Sequence, residues 1–160
     1  MTLAAPRIAP AAGPADLAAV AGLFRAYARS LPVDLDAQGL AAEISGLPGD
    51  YAAPRGGLWL ARGGDGTPLG CVALRALVPA GQCEMKRLYL RDEARGTGLG
   101  RALAETAIAE ARARGYGEMR LDTLPSLTGA IALYRGLGFR PIAAYHDSPF
   151  PGTLFFALTI

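Results

Sequence analysis

Histidine is almost missing from this chain: His146 is the one histidine in 160 residues. A histidine-rich metal centre is therefore excluded, and no metal is expected. Cysteine is nearly as scarce. Cys71 and Cys83 match neither a disulfide framework nor a metal-binding spacing, and both fall in strand-like apolar runs, so buried free thiols are expected. An excess of one charge is lacking too, because 16 Lys and Arg against 14 Asp and Glu leave only +2. That balance gives no electrostatic footprint for nucleic acid. No apolar run reaches membrane-spanning length, so no membrane partner is expected. The first twenty residues, rich in Ala and Pro, lack a charged start followed by an apolar block. No secretory signal is expected there, and the cytoplasm is the default compartment.

What the chain has is an apolar fraction of 51%. At this length that is enough for one domain with a real core and too little for two. Strands are expected over 7–9, two joined by a turn at 63–66 within 58–78, then 82–90, 117–124, 139–146 and 153–160. Helices are expected over 14–31, 36–47, 98–115 and 126–138, with Ser126 as an N-cap. The result is an α/β sheet whose first strands form an antiparallel meander and whose second half holds a strand–helix–strand crossover.

The stretch "RDEARGTGLGRAL" sits between an apolar strand and the Ala-rich third helix. Gly96, Gly98 and Gly100 lie between Arg95 and Arg101. Residues without a Cβ let backbone N–H groups approach a ligand, and a helix start adds unpaired N–H groups and positive partial charge. Together they make an anion site, most often for phosphate, and the arginines add charge-assisted donors. A ligand-free glycine turn is the bland alternative. A dinucleotide loop is a weak one, because Leu103 stands where the third glycine of G-x-G-x-x-G belongs, although Asp122 lies where a ribose-binding acid would sit.

These features together resemble the GNAT N-acetyltransferase superfamily. The family segment Arg/Gln-x-x-Gly-x-Gly/Ala reads Arg95-Gly96-Thr97-Gly98-Leu99-Gly100 here, and "AIALYRGLGF" supplies Ala130, Leu133, Tyr134, Gly138 and Phe139 downstream. The resemblance covers 58–160 well, and 1–57 agrees in kind only. It implies one acetyltransferase domain: a substrate-side helical part over 1–57 and an acetyl-CoA-binding core over 58–160. It implies a mixed, mostly antiparallel sheet of about six to seven strands with about four helices, splayed between the fourth and fifth strands. Acetyl-CoA would be the co-substrate. Backbone groups of Arg95, Gly96, Thr97, Gly98, Leu99, Gly100 and Arg101 would hold its pyrophosphate, and Leu88, Tyr89 and Leu90 would pair with pantetheine. Many members carry Asn where this chain has Leu127, and Ser126 beside it is the partial substitute.

The same resemblance makes Tyr134 the acid that protonates the leaving thiolate; a core tyrosine is its structural alternative. Glu84 on the fourth strand is the candidate base, or simply an ion-pair partner of Lys86, and Asp122 is the second candidate base. Strand alternation puts Lys86, Leu88 and Leu90 on the face of Glu84. Lys86 there argues against a polycation and for an acceptor carrying a carboxylate. Deprotonating a lysine-type amine at pH 7 costs roughly 4–5 kcal/mol and an α-amine about 1.4, so the lack of a strong base also leans toward an α-amine. Tyr27 is placed in the acceptor pocket, with packing as its bland alternative, and His146 is expected to be a solvated loop residue. The function implied is direct acetyl transfer to the amine of a small molecule, an amino acid or related metabolite. A non-catalytic CoA-binding module on the same fold is the alternative. The partner is a small-molecule amine, and a homodimer is compatible with the family.

Overall fold

The computed structural model describes residues 5–160; residues 1–4, part of the stretch read for a secretory signal, lie outside it. Seven strands form one sheet: β1 (Arg7–Pro10), β2 (Gly57–Arg62), β3 (Pro68–Ala76), β4 (Gln82–Leu90), β5 (Glu118–Thr123), β6 (Arg140–Pro141) and β7 (Leu154–Thr159). Their spatial order is β1-β2-β3-β4-β5-β7-β6. Every neighbouring pair is antiparallel except β4 and β5, which are parallel. Four α-helices accompany the sheet: α1 (Gly13–Ser30), α2 (Leu40–Ser45), α3 (Leu99–Ala113) and α4 (Thr128–Gly136). This is the mixed, mostly antiparallel architecture that the resemblance implied.

Period-two alternation gives the sheet two different faces. Val72 and Leu74 of β3 and Met119 and Leu121 of β5 pack with Leu103, Ala104, Ala107 and Ala111 of α3. The small alanines let that helix lie close. Leu58, Leu60, Cys71 and Ala73 face the other way, onto Val20, Leu23 and Phe24 of α1. Leu103 is fully buried, so Leu103→Ala is expected to cost about 2–5 kcal/mol. Both thiols are buried, and burial pushes each up to about 12, so they are inert.

The splay is visible in the pairing. β4 and β5 bond only from Gln82↔Glu118 to Glu84↔Arg120, although β4 runs on to Leu90 and β5 to Thr123. Beyond Glu84 the two strands part and leave a gap in the middle of the sheet.

Four expectations need correction. Lys86 does share the face of Glu84, but Leu88 and Leu90 do not. Arg87 adopts a left-handed backbone (φ 57°), and the β3–β4 register shifts between Cys71 and Ala73. This extra residue is a bulge, which reverses the alternation beyond it. Leu88 and Leu90 therefore pack on the α3 side, and Tyr89 on the α1 side. Ser126 is not an N-cap: Leu127 N–H bonds Leu124 carbonyl in a turn, and α4 starts at Thr128 without a side-chain cap. The 36–47 segment divides into a 3-10 turn (Leu35–Gln38) and the short α2, with Gly39 between. The strand expected over 139–146 contracts to Arg140–Pro141: after Ile142 N–H bonds Phe155 carbonyl the chain leaves the ladder, and Tyr145 and His146 are drawn to Glu84 and Asp122.

Candidate active site

The loop after β4 forms one wall of a cleft of about 560 Å³. Gly98 is the N-cap of α3 in a left-handed conformation (φ 84°), with no side-chain cap, and Gly96 is left-handed as well (φ 75°). The first N–H groups of α3 are thus left without capping side chains. They form the polar end that an anionic ligand needs. Arg95, Gly96, Gly98, Gly100 and Arg101 line this wall, and Leu88, Tyr89 and Leu90 line the strand side. Ser126 lines the opposite side, together with Leu127, Thr128 and Gly129 at the start of α4.

Two expected cofactor residues turn their side chains elsewhere. The Thr97 hydroxyl donates to Ala94 carbonyl, and Leu99 is packed in the core at 7% exposure. Only their backbone groups remain for a ligand. Arg101 is half exposed and pairs with Glu105 at 2.9 Å.

Tyr27 lines the cleft, and its ring lies 5.6 Å from that of Tyr89. Tyr134 is nearly buried behind it and packs edge-on to Phe139. Among the described residues nothing hydrogen-bonds the Tyr134 hydroxyl. Burial, with the nearby Tyr27 and Asp122 adding to it, pushes that phenol well above its ordinary range, so it stays protonated.

On the α1 face, where β4 and β5 part, charged groups gather. Glu84 is 1% exposed and accepts from Arg75 Nε at 2.8 Å and from the Tyr145 hydroxyl, with Lys86 Nζ 3.8 Å away. Of the two sequence readings of Glu84, the ion pair with Lys86 is present, and Arg75 joins it. With its oxygens engaged and its surface closed, Glu84 offers no open edge to an incoming amine.

Asp122 and His146 meet here, which the sequence did not anticipate for His146. Their atoms Oδ2 and Nε2 are 2.6 Å apart, and His146 Nδ1 lies 3.0 Å from Asp147 carbonyl. Both ring nitrogens thus face oxygen acceptors, so the ring orients the Asp122 carboxylate as a donor. The signal that could have found this pair was Asp122 at a strand end; the partner, 24 residues on, lies in an irregular loop. Among the described residues Glu84, Asp122 and His146 place one potential metal-ligand atom each within 4.8 Å of one another. Arg75 and Lys86 beside Glu84 oppose a divalent ion there.

Below the cleft, Arg87 is held by a two-pronged ion pair to Glu43 of α2, at 3.0 and 3.2 Å. This fastens α2 to the bulge.

The family model for the acetyltransferase (GNAT) family matches residues 21–139. The chain belongs to that family. It is 37% identical over 145 residues to an uncharacterised N-acetyltransferase of Schizosaccharomyces pombe, covering 91% of this chain and 89% of that protein. It is similar to the crystal structure of a putative acyl-CoA N-acyltransferase from Klebsiella pneumoniae, with TM-score 0.74, 30% identity and coverage of 96% and 97%. A GNAT-family acetyltransferase from Staphylococcus aureus shares the fold, with TM-score 0.81 at 19% identity and coverage of 97% and 99%. The protein is an acetyltransferase, with an acyl-CoA as co-substrate and an amine as acceptor. No described helix is long and apolar enough to cross a membrane.

Proposed function

We propose that this acetyltransferase moves the acetyl group of acetyl-CoA directly to the primary amine of a small molecule bearing a carboxylate, in a site contained within one domain. The observation that carries the reading is the position of Asp122, which hydrogen-bonds His146 and lines one small cavity together with Tyr27. Acetyl-CoA lies in the cleft with its pyrophosphate on the 95–101 loop and its pantetheine along Leu88 to Leu90, and Ser126 borders it. Residues before 58 shape the acceptor side, where Tyr27 lies between the two ligands.

The amine nitrogen attacks the thioester carbonyl carbon and the C–S bond breaks. Asp122 takes the proton released from nitrogen, and Tyr134 donates its proton to the departing thiolate sulfur. A buried phenol is a weak acid, so it holds this proton until the thiolate forms. His146 keeps Asp122 aimed. Glu84, with Arg75 and Lys86, organises the site rather than serving as its base. Because Glu84 engages Lys86, the carboxylate on the acceptor is supported instead by the Nη groups of Arg75 and Arg120, which make no hydrogen bond among the described residues, and by the lack of an acidic run for a basic peptide.

Free CoA release over a panel of amines tests the reading. Tyr134→Phe is expected to lower kcat by about 10²–10⁴-fold while leaving acetyl-CoA affinity nearly intact. An unchanged kcat across a pH series would remove Tyr134 from the chemistry. Acetyl-CoA binding without CoA release for any amine would favour a binding module.

A further inference from the structure

A second pocket, of about 270 Å³, opens on the α1 face beside the Asp122–His146 pair. Its polar wall is Arg75, Arg120, Tyr145 and His146, and Leu77 and Pro79 supply an apolar side. No carboxylate lines it. Arg75, Glu84 and Arg120 are direct partners on three adjacent strands, so their side chains stand in one row. Each guanidinium is anchored through Nε, Arg75 on Glu84 and Arg120 on Glu118. Arg120 also lies over the Tyr145 ring at 5.3 Å. Among the described residues, the Nη groups of neither arginine make a hydrogen bond; besides Glu84 and Glu118, exposed Asp50 lies 3.8 Å from Arg75 Nη1.

Nη groups without hydrogen bonds, on two guanidinium planes each fixed through Nε, match a carboxylate in geometry. The distances then limit the ligand. Asp122 lies two residues beyond Arg120 on the same face, about 7 Å along the strand. Arg75 Nε is 2.8 Å from Glu84, whose carboxylate lies within 4.8 Å of the reacting atoms of Asp122 and His146. A group held by the arginines and an amine presented to Asp122 are therefore one small molecule apart. The pocket volume suits an amino acid.

We infer that the pocket between Arg75 and Arg120 binds the carboxylate of the acceptor, an amino acid whose amine is turned toward Asp122. The inference rests on the reading of Asp122 as the proton acceptor of an acetyl transfer. Leu77 and Pro79 face the side chain and favour an apolar one. Lys86, largely buried and beside Glu84, takes no direct part.

The test compares α-, β- and γ-amino acids with their amides and with the decarboxylated amines, by calorimetry on the CoA-loaded protein and by steady-state kinetics. At least one amino acid is expected to bind about tenfold or more tightly than its amide. Arg120→Gln is expected to raise the KM of that amino acid by about 10–100-fold, the loss of a charged hydrogen-bond pair, and to leave its amide and acetyl-CoA unchanged. Arg120→Lys keeps the charge without the planar fork and is expected to fall between. Equal binding of every acid and its amide, which needs no variant to measure, would overturn the inference. So would an Arg120→Gln effect of the same size on both. Acetylation of amines without carboxylate preference would sink this pocket and leave the transfer reading standing. Arginine-dependent amino acid binding with no CoA release would do the reverse.

Discussion

The cleft and the second pocket use opposite kinds of recognition. The cleft wall is made of consecutive residues, 95–101, whose glycines expose backbone N–H groups at the mouth of α3. The pocket is made of side chains from β3, the turn after it, β4, β5 and the loop before β7, dispersed from Arg75 to His146. Backbone recognition tolerates changes of side chain so long as the loop keeps its shape. Side-chain recognition depends on each residue separately. The one region suits a co-substrate shared by a family, the other an acceptor that differs among its members.

Substitutions can separate the two regions. The largest effect is expected at their junction: Asp122→Asn should lower kcat by about 10²–10⁴-fold while acetyl-CoA affinity, measured by calorimetry, stays within about twofold. Next is Arg87→Ala, which leaves a partly exposed Glu43 unpaired. Breaking a buried pair costs about 3–5 kcal/mol, and the partial exposure of Glu43 puts this one at or below the lower end. A clear fall in Tm by calorimetric unfolding is the expected result, and an unchanged Tm would show that the bulge holds without its ion pair. Gly98→Ala places a Cβ on a left-handed residue at a cost of about 1–2 kcal/mol, so acetyl-CoA should bind about 5–30-fold more weakly with acceptor KM unchanged. Arg101→Ala is smaller still. Its pair with Glu105 is half exposed, so a loss of up to about fivefold in acetyl-CoA affinity, shrinking with added salt, is expected.

Titration offers a check on both cores at once. Burial raises the phenols of Tyr51, Tyr134 and Tyr145 and the thiols of Cys71 and Cys83. Each is held neutral in the folded protein and ionises more easily in the unfolded chain. Their contribution is intact below the ordinary values of 9.0 for the thiols and 10.0 for the phenols, and is lost as pH rises beyond them. Denaturation midpoints are expected to be lower at about pH 11 than at about pH 8.

The legibility of the molecule follows the same division. The glycine loop, the α3 stripe and the element order were readable because each is written in consecutive residues. Tyr134 was readable only through its resemblance motif. The face of Leu88 and Leu90 was not, since one left-handed arginine reverses the alternation and nothing in "EMKRLYL" marks it. His146 was read as a solvated loop residue because its partner Asp122 is brought to it by tertiary packing of β5 against β7. The row Arg75–Glu84–Arg120 depends on the register of three strands, which local pattern leaves open.

The bulge at Arg87 also bears on how such an enzyme could change its acceptor. It divides one strand into a half whose charged side chains reach the α1 face and a half that borders the cleft. Mutations before it can be sampled without rewriting the segment after it. A laboratory selection for a new amine should therefore accumulate its changes at β3, the first half of β4 and β5, and leave 88–101 untouched.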